Sequence, residues 1–268
     1  VSDLRGRHQP GLGKTGRRHH EEPLSQGAAK MRTEILYEDN SILVIRKPAG
    51  LAVQSARIGQ ADVVSELKSY LAKQAGVGQG EPYLAVIHRL DQPVEGILVF
   101  GKTPEAAKSL SAQITAGKME KIYLAVTYGQ QAENGKKETV LEDYLKKDGK
   151  SNTSSVVNAN TPGAKKARLS YEVLGEAVDA ISGKKKWLLR IHLDTGRHHQ
   201  IRVQMAHAGM PLAGDRKYGA GTNVTIGAGS LALCAASLTF FHPVTGKVMK
   251  FVTKPEGAEF KGISIPQM

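Results

Sequence analysis

The chain has 268 residues, 40% of them hydrophobic, enough for one large domain or two small ones around a sizeable core. It contains no apolar run approaching the roughly 18 residues of a membrane span, and its one cysteine, Cys234, excludes an intramolecular disulfide and a cysteine-based zinc cluster. A formal net charge of +12 makes a polyanion the first partner to consider, nucleic acid ahead of an acidic membrane surface, because neutralising phosphates releases counterions.

Residues 1–30 are basic, rich in Gly, Pro and His and without hydrophobic periodicity, so they read as a disordered extension ahead of a folded domain over 31–268. No apolar h-region of a secretory signal is visible there. Gly13-Lys14-Thr15 lacks the earlier glycine of a phosphate loop, since His8 stands in its place. Ile35-Leu36-Tyr37, the turn Glu38-Asp39-Asn40 and Ile42-Leu43-Val44-Ile45 predict a hairpin ending at Lys47-Pro48-Ala49-Gly50. Asp62 is placed to cap a helix whose apolar face is Val63, Leu67, Tyr70 and Leu71.

After the glycine-rich break 76–80, the alternation from Tyr83 to His88 predicts a half-buried strand and Gly96 to Phe100 a buried one. Thr103-Pro104, a cap followed by proline at the first helical position, predicts a helix with Ala107, Leu110 and Ile114 inward and Gly117 as its stop. Lys121 to Tyr128 alternates as a strand, and the polar stretch Asp148 to Lys166 reads as a loop or flexible insertion. Arg168 to Leu174 and Lys186 to Leu193 predict strands joined across Ser182-Gly183. A helix follows Gly196, with Ile201, Met205 and Ala208 on one face, Gly209 as a left-handed stop and Pro211 beyond it. Leu231 to Phe240 and Val248 to Thr253 predict closing strands. Strands outnumber helices and several connections are of hairpin length, which implies an α+β fold with a largely antiparallel sheet.

Chemistry has one obvious place to sit. Pro93 and Gly96 force irregular backbone between two core strands, so Asp91 lies on a short loop held by a rigid scaffold. Composition alone reads such an aspartate as a turn residue bonding the backbone two positions on. Histidines offer a second set, His192, His198, His199 and His207, but His199 and His207 stand about 12 Å apart along a helix axis. Neither His-Glu-x-x-His nor Gly-x-Ser-x-Gly occurs, so a metalloenzyme or hydrolase is disfavoured and no metal is expected.

The blocks His88-Arg89-Leu90-Asp91 with Gly96 to Phe100, Lys121 to Ala125, Thr195 to Val203, Ala206 to Asp215 with Tyr218-Gly219, and Leu231 to Ala235 with Phe241 to Gly246 occur in one order. That series resembles the RluA-type pseudouridine synthases. The resemblance implies a catalytic domain with a long mixed, mainly antiparallel sheet flanked by helices, and an active-site cleft across its middle. It implies that specific uridines in an rRNA or tRNA stem-loop are isomerised to pseudouridine without a cofactor, the base being flipped from its stack. Asp91 would be the catalytic carboxylate, and Arg202 its partner, whose charge favours the carboxylate form. Tyr123 would pack on the target base and help remove the carbon 5 proton.

Arg89 would fill the gap left by the extruded nucleotide, Leu233 would line the uracil pocket, and His88, Arg197, His199 and Gln200 complete the expected substrate-binding set. Whether Asp91 attacks the sugar, adds to the base or removes the ribose 2-hydrogen stays open at this point. Without the resemblance, Arg202 reads as a phosphate contact on an exposed helix face, and Tyr123 and Leu233 as core side chains. The chain departs from its relatives at Val94-Glu95, where Thr-Ser is usual, and at Cys234, where histidine is common. Glu95 adds an acid near a site that receives phosphate, which bears on substrate choice. The alternative is a catalytically silent RNA-binding or ribosome-assembly protein that keeps the fold. A cytoplasmic monomer that does not engage membranes is expected.

Overall fold

A computed structural model describes residues 31–57, 59–76, 78, 80–129, 138–179, 183–219 and 230–267. The expected disordered extension, residues 1–30, lies outside the described residues, as does Ser182. Eleven strands form one sheet: β1 (Glu34–Glu38), β2 (Ile42–Lys47), β3 (Ala85–Val86), β4 (Glu95–Gly101), β5 (Glu120–Tyr128), β6 (Thr139–Asp148), β7 (Thr153–Val157), β8 (Lys165–Val178), β9 (Lys185–Leu193), β10 (Leu233–Phe241) and β11 (Val248–Val252). Three α-helices accompany it among the described residues, α1 (Val63–Ala75), α2 (Pro104–Thr115) and α3 (Gln200–His207). None is long and apolar enough to cross a membrane.

The strands run in the order β1-β2-β4-β10-β5-β9-β8-β6-β7, with β11 added to β10 and β3 to β4. Among the described strands only β4 and β10 pair in parallel; the other pairings are antiparallel, and those of β1–β2, β6–β7, β8–β9 and β10–β11 are closed by short connections. The two faces of the sheet read directly from alternation along β5. Tyr123 and Ala125 pack with Leu90, Val94, Leu233, Ala235, Ile201 and Met205, whereas Leu124 and Val126 pack on the opposite side with Ala232, Cys234 and Phe260. The first face also takes α1 through Val63 and Leu67; α2 covers the second through Ala106 and Leu110.

Local signals set both capped helices. Asp62 accepts from the amide of Ser65 and Thr103 from that of Ala106, each satisfying an amide with no intrahelical partner. The inward face of α2 is rotated from the expected one: Ala106 and Gln113 are buried with Leu110, while Ile114 is only partly covered. Gln113 is buried because its amide stands in for a strand partner, donating to Phe241 O at 2.7 Å and accepting Phe241 N at 2.8 Å.

Two expectations about strands are corrected. The strand expected over Tyr83 to His88 is reduced to Ala85–Val86, because the His88 imidazole takes the Val99 amide (Nε2 at 3.2 Å) that a longer backbone ladder would have used. The stretch 148–166, expected to be a loop, contains β7 and the start of β8. Thr153 to Val157 pairs with Tyr144 to Asp148 at the end of β6, and Lys165 to Tyr171 with Thr139 to Leu145. Few of its side chains are buried, so the strand carries little hydrophobic signal and is held by cross-strand pairing instead.

The parallel contact of β4 with β10 depends on Gly96, which sits at φ +127 opposite Ala235. A Cβ there would meet the backbone oxygen and nitrogen of Ala235, in a conformation that L side chains rarely adopt. Gly96→Ala should therefore destabilise the fold by about 3 kcal/mol or more, read as a lowered urea midpoint. A change within about 0.5 kcal/mol would contradict this account of the junction.

Candidate active site

The edge of β4 that faces away from β2 is divided. β10 pairs with Glu95 and Gly96, β3 with Phe100 and Gly101, and His88 holds Val99 between them. The loop carrying Asp91 crosses this gap, anchored on either side by buried Leu90 and Val94 and closed by Val94 N donating to Asp91 O at 3.0 Å. A second clamp comes from the end of β2. The fully buried Lys47 donates through Nζ to the carbonyls of Pro48 (3.0 Å), Leu51 (2.7 Å) and Gln92 (3.0 Å), binding the residue after Asp91 to the 48–51 turn. Gly50 N and Gln92 O add a backbone bond at 2.9 Å. Burial pushes the Lys47 amine down to about 7, with Asp91 among the charges that oppose the shift. Three carbonyl acceptors call for three N–H bonds, which the ammonium form supplies.

Arg202 approaches from α3. Its Nε and Nη2 form a fork on the buried Asp215, 2.8 Å to each oxygen, and its Nη1 lies 3.3 Å from Asp91 Oδ2. Burial works against this cation, but Asp215 and then Asp91 hold it above its ordinary value. Burial would likewise raise Asp215; the guanidinium and the amides of Lys217 (2.9 Å) and Tyr218 (3.1 Å) hold its carboxyl below the usual range instead. Every residue from Gln200 to Met205 is buried, because α3 lies between the main core, met by Ile201 and Met205, and the β6–β7 region, met by Val203. The reading of Arg202 as an exposed phosphate contact is thereby set aside.

His199 precedes α3 in a left-handed conformation, φ 54, and directs Nε2 to within 3.5 Å of the same Asp91 Oδ2. Its ring stacks on His198 at 3.7 Å, and its Nδ1 lies 2.7 Å from the Tyr218 hydroxyl. Tyr123 is 7% exposed and faces the same side as Leu233 and Ala235. Burial, with smaller contributions from Asp91 and Cys234, pushes its hydroxyl well up, so it is a protonated phenol at neutral pH.

The other expected residues divide by surroundings. Arg89 and Arg197 are exposed, Arg197 holding Lys166 O through Nε at 2.8 Å. Leu233 is buried beside Tyr123. His88 and Gln200 are built into the scaffold: Gln200 accepts from Thr195 Oγ1 and Arg197 N and donates to Arg168 O and Gln204 Oε1. Glu95 does not add an acid to the site. It is buried, accepting from the amides of Glu256 and Gly257, with Arg46 3.5 Å away. Cys234 is fully buried and its thiol is pushed up by burial, as a small core residue. Asp215, Tyr218 and Lys47 had no role assigned from sequence. Asp215 and Tyr218 belong to the block from Ala206 to Gly219, but nothing in their spacing shows which cation or imidazole they face.

Residues 41–207 match the family model described as RNA pseudouridylate synthase. The chain belongs to the RNA pseudouridylate synthase family. The matched stretch contains Asp91, Tyr123, His199 and Arg202 and stops short of Asp215, Tyr218 and Leu233. Ribosomal large subunit pseudouridine synthase C of Salmonella typhimurium is 34% identical over 242 residues, 88% of this chain and 70% of that protein. Synthase D of the same subunit from Pseudomonas aeruginosa is 34% identical over 237 residues, 84% and 68% of the two chains. Human RNA pseudouridylate synthase domain containing 4 shares the fold, with a TM-score of 0.65 at 23% identity over 83% of this chain and 89% of that one. The family is thus the RluA-type one its motifs resemble, and the α+β fold with a mixed sheet is shared. This RNA pseudouridine synthase is an isomerase by family.

Two imidazoles, one in the scaffold and one beside Asp91, resist protonation. Burial, and then the charge of Lys121, hold His88 at about 3. Burial holds His199 at about 4, with Asp91 opposing and Arg202, His198 and Lys217 reinforcing the shift. Unfolded histidines take up a proton near 6.5, so the unfolded chain binds more protons below that pH and stability falls with it. The urea midpoint should drop between pH 7 and 5, each imidazole contributing at most about 1.4 kcal/mol per pH unit. A midpoint flat over that range would show that neither is held neutral.

Proposed function

We propose that the chain isomerises a uridine of structured RNA to pseudouridine with Asp91 as the catalytic carboxylate. One observation carries the assignment: Asp91, on a loop clamped by Lys47, has its Oδ2 3.3 Å from a guanidinium already fixed by a buried second acid. The reaction breaks the bond from the ribose anomeric carbon to ring nitrogen 1, rejoins that carbon to ring carbon 5, and moves the carbon 5 proton to nitrogen. Atoms and electrons balance within the substrate, so the demand on the protein is an anion beside the sugar, an enclosed place for the freed base and a way to draw the nucleotide from its stack.

Tyr123 and Leu233, side by side on one face of the sheet, suit a stacking floor and a pocket wall for uracil. Arg89, exposed two residues before Asp91, suits the space an extruded base vacates. The net charge of +12 supplies long-range attraction to RNA. The relatives named as ribosomal large subunit synthases make ribosomal RNA the first substrate to try, ahead of a tRNA stem-loop. Mapping pseudouridine in total rRNA and tRNA with and without the gene separates the two.

Asp91→Asn should lower tritium release from RNA labelled at uracil carbon 5 by about 10³-fold or more, with RNA affinity within about threefold of wild type. Equal release by mutant and wild type would remove Asp91 from the chemistry and leave an RNA-binding protein of this fold. Tyr123→Phe keeps the ring and loses the proton-transfer group. Binding should hold while the single-turnover rate falls by about 10²-fold, and an unchanged rate would take the hydroxyl out of the mechanism.

A further inference from the structure

The proposed function gives His199 no task, yet hydrogen-bonding and stacking partners surround its ring. The Tyr218 hydroxyl receives the backbone amide of Ser154 on β7 at 2.8 Å. An amide can only donate, so the one hydroxyl proton is left for the other contact of that oxygen, His199 Nδ1 at 2.7 Å. Nδ1 is then an acceptor, and the proton of a neutral ring sits on Nε2, the atom 3.5 Å from Asp91 Oδ2. The other tautomer would waste the Tyr218 proton and set the Nε2 lone pair against the carboxylate. At 3.5 Å the contact is longer than a formed hydrogen bond, as active-site contacts often are before the substrate binds.

We infer that His199 is a positioning residue for Asp91, fixed by Tyr218 in its Nε2–H tautomer, so that His199 and Arg202 both address Oδ2 and present Oδ1 to the nucleoside. The inference rests on the reading of Asp91 as the reactive carboxylate and adds which oxygen reacts and what sets it. The groups around the imidazole are Asp91, Arg202, the stacked His198, Lys217 and Tyr218. The three cationic or cation-forming neighbours, Arg202, His198 and Lys217, disfavour a charged ring and Asp91 favours one; burial decides for the neutral form. The series Ser154, Tyr218, His199, Asp91 begins on β7, so the seating of the β6–β7 hairpin is felt at the reactive acid. Ser154 secures the same junction a second time, its Oγ lying 2.9 Å from His198 Nδ1.

The test reads the tautomer directly. In the full-length ¹⁵N-labelled protein at pH 7.5, with the signal assigned by its loss in His199→Gln, long-range proton–nitrogen correlations should show His199 protonated at Nε2 and bare at Nδ1. Tyr218→Phe should shift that signal towards the Nδ1–H or exchanging form. A ring protonated at Nδ1 or at both nitrogens in wild type, or a pattern indifferent to Tyr218→Phe, overturns the inference. In turnover, His199→Leu should lower kcat about 10²-fold with KM for RNA unchanged, and His199→Gln, which keeps an N–H near the same place, should recover about tenfold of that loss. A raised KM with kcat intact would make His199 an RNA contact instead. The spectrum needs no turnover, so a failure here is distinct from activity surviving in Asp91→Asn, which would sink the assignment of Asp91 itself.

Discussion

One guanidinium shared unequally between two acids organises the site. Arg202 is buried, and an isolated buried cation would be costly. Asp215 offsets part of that cost with two parallel hydrogen bonds of 2.8 Å, and in doing so balances charge that Arg202 could otherwise offer to Asp91. What remains for Asp91 is one Nη1 in a fixed place, 3.3 Å from one oxygen. The arrangement therefore favours orientation over field strength. Arg202 behaves as a rigid pointer whose direction is set by Asp215, and Asp215 is in turn held by the amides of Lys217 and Tyr218. A lysine could not reproduce this, having no planar fork to be gripped on one side while pointing on the other.

The fold supplies the partners from distant parts of the chain. Asp91 comes from a gap in the edge of β4, where one strand divides its hydrogen bonds among β10, β3 and an imidazole. Arg202 comes from a helix pressed between the core and the β6–β7 hairpin, and Tyr218 follows Asp215 in the chain and bonds to the hairpin's Ser154. Three elements thus converge on a few ångströms, and none would hold its side chain there alone. Lys47 performs the same service for the loop, since its three carbonyl bonds leave the backbone around Gln92 little freedom.

Much of this was legible in the sequence because the relevant signals are local. Asp62 before an apolar helix face and Thr103-Pro104 before another specify caps through the amides they satisfy. The apolar run 97–100, following Pro93 and Gly96, suits a fully buried strand and forms one. The β6–β7 hairpin was missed because its outward residues are Lys, Ser and Asp and its inward ones too few to make a period; its structure is imposed by β8. Likewise α3 was given one apolar face, although both sides are covered, since the second is covered by that hairpin. Asp91 and Arg202 could be paired only through resemblance, being 111 residues apart, and Asp215, only 13 from Arg202, went unassigned because spacing carries no direction. Glu95 misled for the opposite reason. Next to the Asp91 loop in sequence, it points along an alternating strand to the other side, where it holds the amides of Glu256 and Gly257.

That separation of faces also reconciles a strongly basic chain with a site whose best-defined charges are balanced. Around Asp91 the buried ions are Arg202 and Asp215, which offset one another, and Lys47, which clamps the loop and faces Asp91 itself; the flanking imidazole His199 is neutral and the nearby phenol Tyr123 is protonated. Among the described residues, many of the cations are exposed side chains such as Arg89, Lys146, Lys147 and Lys150. Exposed cations act over a screening length of about 8–10 Å at physiological salt and attract any polyanion, with little regard to sequence. The buried set acts over contact distances and is screened by salt far less. Attraction and chemistry are thus carried by different residues, and the surface can change its lysines without disturbing the geometry on which Asp91 depends.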